Sequence, residues 1–505
     1  MLRIMTTLIK NVVVLDGTGQ TPRKADVIIK RNKIAATGHF HRYQNAEIID
    51  GMGAYLAPGF IDINTSSDLF LTLFSNPSQK DFLLQGVTTI IGGQNGISLA
   101  PIFYGSLELN KLFIDVHKIN INWHTIGELL NTLDRKKFGV NFGTLVGHAT
   151  LRESIIGDNF RDLTQNELNV ARMVLKKSLE EGAFGLSVNL NFPLTSLTPY
   201  KEIKFLIEEV AAQKGVASIN LKSCNDCKND SVSTVEEIIN LAKETEARIN
   251  IGNFSALSGT ETDLKKIAEL IDESSAKANI YFSLSPLSRF IAPIFSFLPC
   301  FATRGSLKEI HNNLNDAVFV DKIKKELPVK FKNEEFKIIS APRHDYLVGK
   351  SLRDFAEAKD MAAKNALLHL VDFLNLRGAA VYKDYNQKNL LNFINYSRAV
   401  ISSGGASFNK NPENSVAAKF YSAFPKFLDS SLKKSVLPIE IAVRKITGLP
   451  AKILGLKNRG LIKEKYFADM VIFRGSHIER VFVNGKITVK NGQYLEVKSG
   501  QVLRR

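Results

Sequence analysis

The stretch Pro58-Gly-Phe-Ile-Asp-Ile-Asn-Thr-Ser-Ser-Asp68 decides how the rest of the chain is read. Phe60 to Ile63 is a short apolar run, with Pro-Gly before it and small polar residues after it. That bracketing predicts a buried strand whose end opens at Asn64. Similar runs recur outward from it: Gly86-V-T-T-I-I-G-Gly93, Gly143-T-L-V-G-His148, Gly182-A-F-G-L-S-Val188 and Gly215-V-A-S-I-N-Leu221. They continue with Arg248-I-N-I-G-Asn253, Asn279-I-Y-F-S-L-Ser285 and Arg398-A-V-I-S-S-G-Gly405. Amphipathic segments separate most of them; the one from Leu163 to Gly182 has Thr164 placed as an N-cap and Gly182 just past its end. Strands alternating with helices in this way predict an α/β fold, a (β/α)8 TIM barrel over residues 58–451.

At 505 residues the chain exceeds one ordinary core. Residues 1–57 and 452–505 share a different style, short strands punctuated by Asp-Gly and Asn-Gly turns, which predicts a small β-sandwich formed by both termini. The interval from about 288 to 350 breaks the barrel rhythm and reads as an inserted subdomain.

A net charge of +16 raises the question of nucleic acid. The basic residues are dispersed, as at Arg135-Lys-Lys137 and Lys433-Lys434, and no basic run is interleaved with aromatics, so a specific nucleic-acid surface is not expected. No apolar run is long enough for a membrane span, and three cysteines make no disulfide framework; a cytoplasmic location is the expectation. Cys224-Asn-Asp-Cys227, with Cys300, offers a thiolate site or a redox pair, but ordinary thiols are favoured.

In such a barrel, chemistry sits at the C-terminal strand ends. The residues there are Asn64 and Ser66, Asn95, His148, Asn220, Asn253 and Gly404, a set rich in amides. The words Gln85-G-V-T-Thr89, Gly96-I-S-L-A-Pro101, Leu145-V-G-H-A-T-L-Arg152 and Ala442-V-R-K-I-T-G-L-P-Ala451 stand in order around Pro58-G-F-I-Asp62. Together they resemble the amidohydrolase superfamily and, within it, the D-aminoacylases (N-acyl-D-amino-acid deacylases), over almost the whole length.

The resemblance implies amide hydrolysis with active-site zinc and an aspartate that shuttles the proton. It also places the departures. The family's His-x-His falls on Asn64 and Ser66, its cysteine on Asn95, and its two further histidines on Asn220 and Asn253. A lysine becomes Ser255, the shuttle aspartate becomes Gly404, and His-Pro-Arg reads Asn411-Pro-Glu413. The substrate-lining Tyr-Pro reads Phe192-Pro193, while His148 and Arg152 survive. Zinc takes thiolate, imidazole or carboxylate ligands, so neither a metal site nor a residue of the family's catalysis is expected, and no cofactor. His148 reads first as a satisfied core histidine, and Asp68 as a structural or solvent-facing carboxylate.

Three readings follow. The preferred one is a pseudoenzyme, acting through binding or scaffolding. The alternative is a hydrolase of non-peptide amide (C–N) bonds, such as those of N-acyl-D-amino acids, by an altered or metal-free mechanism; His148, Lys222, Cys224 and His344 are its candidate residues. The third is a plain zinc deacylase. The partners such a chain leaves open are a polar small molecule in the barrel mouth and a second copy of itself.

Overall fold

The computed structural model describes residues 6–40, 46–103, 107–190, 192, 195–221, 231–252, 254, 261–287, 289–327, 336–383, 392–408, 422–433 and 437–505. The barrel strands are β1 (Phe60–Asp62), β2 (Val87–Gly92), β3 (Asn141–Thr144 and Val146–Gly147), β4 (Gly185–Asn189) and β5 (Val216–Asn220). They close with β6 (Arg248–Gly252), β7 (Asn279–Leu284) and β8 (Ala399–Ile401). Each pairs in parallel with its neighbour, β1 to β2 to β3 and then β3 through β8. Between β8 and β1 the seam is closed by Gly404, whose N–H donates to the Asn64 carbonyl at 3.0 Å.

Local sequence explains the strand starts. A Cβ placed on Gly59 would lie 2.1 Å from Thr88 Oγ1, so only glycine lets β1 enter this close to β2. Every residue of β1 and of β2 is buried. Helix α1 (Gln165–Glu180) begins in a capping box: Thr164 Oγ1 accepts from Glu167 N, and Glu167 Oε2 accepts from Thr164 N at 2.8 Å. Its apolar stripe of Leu168, Ala171, Leu175 and Leu179 is buried, as a 3.6-residue period requires.

Both ends of the chain share one sheet of nine strands among the described residues. Tyr55–Pro58 lies antiparallel to Met470–Arg474, with Leu56 opposite Ile472 and Pro58 opposite Met470. Ile9, Val12, Val14, Leu56, Met470 and Phe482 fill its own small core. A buried Arg459–Asp469 ion pair joins this sheet to the barrel, since Asp469 also accepts from Asn141 Nδ2 of β3 at 3.1 Å. The last residues run along β3: Phe142 N–H donates to the Gln501 carbonyl and Leu503 N–H to that of Phe142.

The excursion between β7 and β8 is longer than the expected 288–350. Arg289–Pro293 and Lys337–Ser340 both pair antiparallel with Ala379–Lys383, so its sheet ends only at Lys383. The helices Leu352–Ala358 and Ala363–Phe373 carry ordinary amphipathic patterning, which by itself does not distinguish them from barrel helices. No helix among the described residues is long and apolar enough to cross a membrane.

Candidate functional site

The end of β1 is organised by Asp62, which is fully buried. Its carboxylate accepts from Asn64 N at 3.2 Å, from Ser403 N at 3.2 Å and from Ser403 Oγ at 2.5 Å. Burial pushes this carboxyl up to about 7, against the opposing pull of the Ser403 and Asn64 hydrogen bonds. The same loops continue as Ser66 N–H to the Gly405 carbonyl at 2.8 Å and Ser66 Oγ to that of Gly404 at 3.2 Å. Gly404 sits at φ +66°, a conformation glycine takes freely and aspartate only at a cost.

Across the mouth, Asn220 Nδ2 donates to Asn95 Oδ1 at 2.7 Å. Asn95 is held in the left-handed region at φ 59°, where asparagine is tolerated. Beside this pair, Ser218 Oγ donates to Gln94 Oε1 at 2.9 Å, and Gln94 Nε2 to the Ile63 carbonyl at 2.6 Å. Neither Gln94 nor Ser218 stands out in the sequence. The signal for Ser218 is its spacing, two residues before Asn220 on one strand and hence on the same face.

Asp68 is buried rather than solvent-facing. It accepts from Gly93 N at 2.5 Å, and burial raises its carboxyl to about 6. Asn220 is the last residue of β5, and Asn64, Ser66, Asn95 and Gly404 lie just beyond the C-terminal ends of β1, β2 and β8.

His148 and Arg152 serve a different arrangement. His148 is fully buried, with Nε2 at 2.8 Å from Glu202 Oε1, and Arg152 Nη1 reaches Glu202 Oε2 at 2.6 Å and Oε1 at 2.7 Å. For Glu202, burial raises the carboxyl, but the hydrogen bonds and charges of His148 and Arg152 outweigh it and hold the group low. Both residues are thus engaged by one carboxylate in the interior. Phe192 is also buried and packs edge-on against Phe295 of the excursion at 6.4 Å. His344 packs its ring on Phe373 at 4.5 Å.

Asn253, Ser255, Asn411, Glu413, Pro193, Lys222, Cys224 and Cys227 lie outside the described residues. Cys300 is disulfide-bonded, which corrects the expectation of ordinary thiols. A low cysteine count argues against a framework of bridges but says little about a single one.

No group of three or more His, Cys, Asp or Glu side chains suited to a metal occurs among the described residues. Among the described residues the polar side chains at the mouth are amides and hydroxyls, and the carboxylates beside them accept hydrogen bonds from protein groups, Asp62 from Ser403 and Asp68 from Gly93. Such a donor set does not fit zinc, which takes thiolate, imidazole or carboxylate.

No family model matches the chain. It is 25% identical over 474 residues to the N-acyl-D-aspartate deacylase of Alcaligenes xylosoxydans xylosoxydans, covering 93% of this chain and 86% of that protein. To the D-aminoacylase of the same organism it is 23% identical over 509 residues, 97% of this chain and 96% of the other. Among solved structures, N-acyl-D-glutamate deacylase from Bordetella bronchiseptica, complexed with zinc and a phosphonate inhibitor, superposes with a TM-score of 0.79 at 20% identity, covering both chains fully. A D-aminoacylase structure superposes at 0.77 with 22% identity, over 99% of each chain. The homologues and structural neighbours are thus D-aminoacylases and N-acyl-D-amino-acid deacylases of the amidohydrolase superfamily, and the fold is theirs.

Proposed function

We propose that this D-aminoacylase-like chain has given up zinc-dependent amide hydrolysis and works by binding a polar small molecule at its barrel mouth. The observation that carries this reading is the Asn95–Asn220 side-chain hydrogen bond, at two positions where the family resemblance expects metal ligands. Losing an outer partner of a metal ligand costs about 10–100-fold in affinity or activity. Here the ligands themselves are exchanged for neutral groups at Asn64, Ser66, Asn95, Asn220 and Asn253. Asparagine carbonyls do join calcium sites, but alongside carboxylates. Gly404 also removes the group that would carry the proton.

The amides and hydroxyls described at the mouth fit a ligand that exchanges hydrogen bonds with them, and fit an acylamino-acid carboxylate poorly. A metal-free hydrolase working through His148 draws no support from the geometry, because that imidazole is fully buried on Glu202.

Two measurements test the proposal. Protein purified without chelator is expected to hold less than about a tenth of an equivalent of zinc. A panel of N-acyl-D-amino acids, with and without added zinc, is expected to show no turnover. Stoichiometric zinc together with zinc-dependent deacylation overturns the reading and makes this a working deacylase.

A further inference from the structure

We infer that the Asn95–Asn220 amide pair is a cross-brace that ties the barrel mouth together in the absence of a metal. The inference rests on the preceding reading and adds what now holds the strand ends. In the barrel β2 pairs with β1 and β3, and β5 pairs with β4 and β6, so no backbone ladder connects β2 to β5. Two side-chain bonds do: Asn220 to Asn95 at 2.7 Å and Ser218 to Gln94 at 2.9 Å. Gln94 passes the tie on to the end of β1 through the Ile63 carbonyl, at 2.6 Å. A buried chain of neutral groups therefore runs from β5 through β2 to β1.

The geometry of the pair is specific. A cysteine and a histidine on one tetrahedral zinc hold their ligating atoms about 3.6 Å apart, as a metal–sulfur bond of about 2.3 Å and a metal–nitrogen bond of about 2.0–2.1 Å require. At 2.7 Å the two amides are in direct hydrogen-bond contact instead. Gly252 on β6 leaves the space this side chain occupies: an added Cβ there would lie 2.3 Å from Asn220 Oδ1. With its oxygen against that glycine, Asn220 presents its Nδ2 to Asn95.

This donor–acceptor order gives an asymmetric test, run with chelator present so that new carboxylates recruit no metal. In N220D the donor facing Asn95 Oδ1 becomes a carboxylate oxygen. In N95D an acceptor still faces Asn220 Nδ2, and aspartate bears the left-handed turn at about the cost that asparagine already does. Urea unfolding at pH 8 is expected to show N220D with an unfolding equilibrium constant about tenfold above that of N95D, which stays near wild type. Toward pH 3 the carboxyl introduced by N220D becomes protonated and can donate, and the gap is expected to narrow. Equal effects of the two variants, or none from either, overturn the inference.

If both aspartate variants fail to fold, the cycle of N95G, N220S and their double variant decides. Coupling of about fivefold in the unfolding constant supports the brace, and coupling below about twofold overturns it. The wild-type melting temperature with one equivalent of zinc separates the two ideas. A rise refutes the metal-free reading whatever the variants do, whereas symmetric variants refute the brace whatever zinc does.

Discussion

Replacing Asp62 by asparagine tests the electrostatics of the barrel mouth directly. In the unfolded chain this carboxyl titrates near its ordinary 3.8, and in the fold burial holds it to about 7. Between those values the folded state binds more protons than the unfolded state. Stability contributed by Asp62 is therefore greatest below about pH 4 and falls as pH rises to about 7, where the loss levels off. At about 1.36 kcal/mol per pH unit, the whole change is about 4 kcal/mol as an upper bound. In D62N one oxygen remains to accept from Ser403, but nothing titrates. The stability of D62N minus that of wild type, from urea midpoints at fixed slope, is expected to climb between pH 4 and 7. Asp68 and Glu153, raised to about 6 and about 8, are present in both proteins and cancel in the difference. Parallel curves for the two proteins would refute the reasoning. A cation held at this end of β1 would favour the ionised carboxylate, so parallel curves that separate on adding chelator would reveal a metal.

Other substitutions probe other parts of the argument. E202Q strips the charge shared by His148 and Arg152 and is expected to cost about 3–5 kcal/mol, whereas the apolar triple variant H148L/R152M/E202L loses much less. Because Glu202 is held below its ordinary 4.5, the stability it contributes is present above that value and fades as the medium is made more acidic. The pH profile of E202Q should lack that acid limb. G404D returns the family's aspartate to a left-handed position, costing about 1–2 kcal/mol, and is expected to give no deacylation of N-acyl-D-amino acids by itself. G59A forces a methyl toward Thr88 and should destabilise by about 1–3 kcal/mol, read as a lowered thermal midpoint.

The barrel is legible because its strands are short apolar runs with glycine punctuation, and β1 is bracketed by Pro58-Gly59 on one side and Asn64 on the other. The places of Asn64, Ser66, Asn95 and Asn220 are legible for a related reason: each stands at or just past the end of a strand that the apolar runs mark. What stays hidden depends on partners distant in the chain. Asp62 reads as part of a strand marker, yet its role is set by Ser403, 341 residues later. Glu202 sits on a helix whose pattern says only that it lies beside apolar neighbours, and its importance comes from His148, 54 residues earlier. Gln94 lies next to Asn95 without drawing notice, since a glutamine declares a donor and an acceptor without saying what they meet. The reach of the excursion to Lys383 escapes the sequence because antiparallel pairing with Ala379–Lys383 leaves no local trace.

The sheet that both chain ends share has a consequence in time. Tyr55–Pro58 leaves the ribosome early, while its partner Met470–Arg474 is made only after the whole barrel. At about 5–20 residues per second the roughly 400 residues between them take about 20–80 s to synthesise. For that interval one side of Tyr55–Pro58 is an open hydrogen-bonding edge on a nascent chain, a template for pairing with other chains. All eight barrel strands are synthesised before Met470–Arg474. Slowing translation after the barrel prolongs that exposure, so the yield of folded protein in the cell is tied to how quickly the final segment arrives.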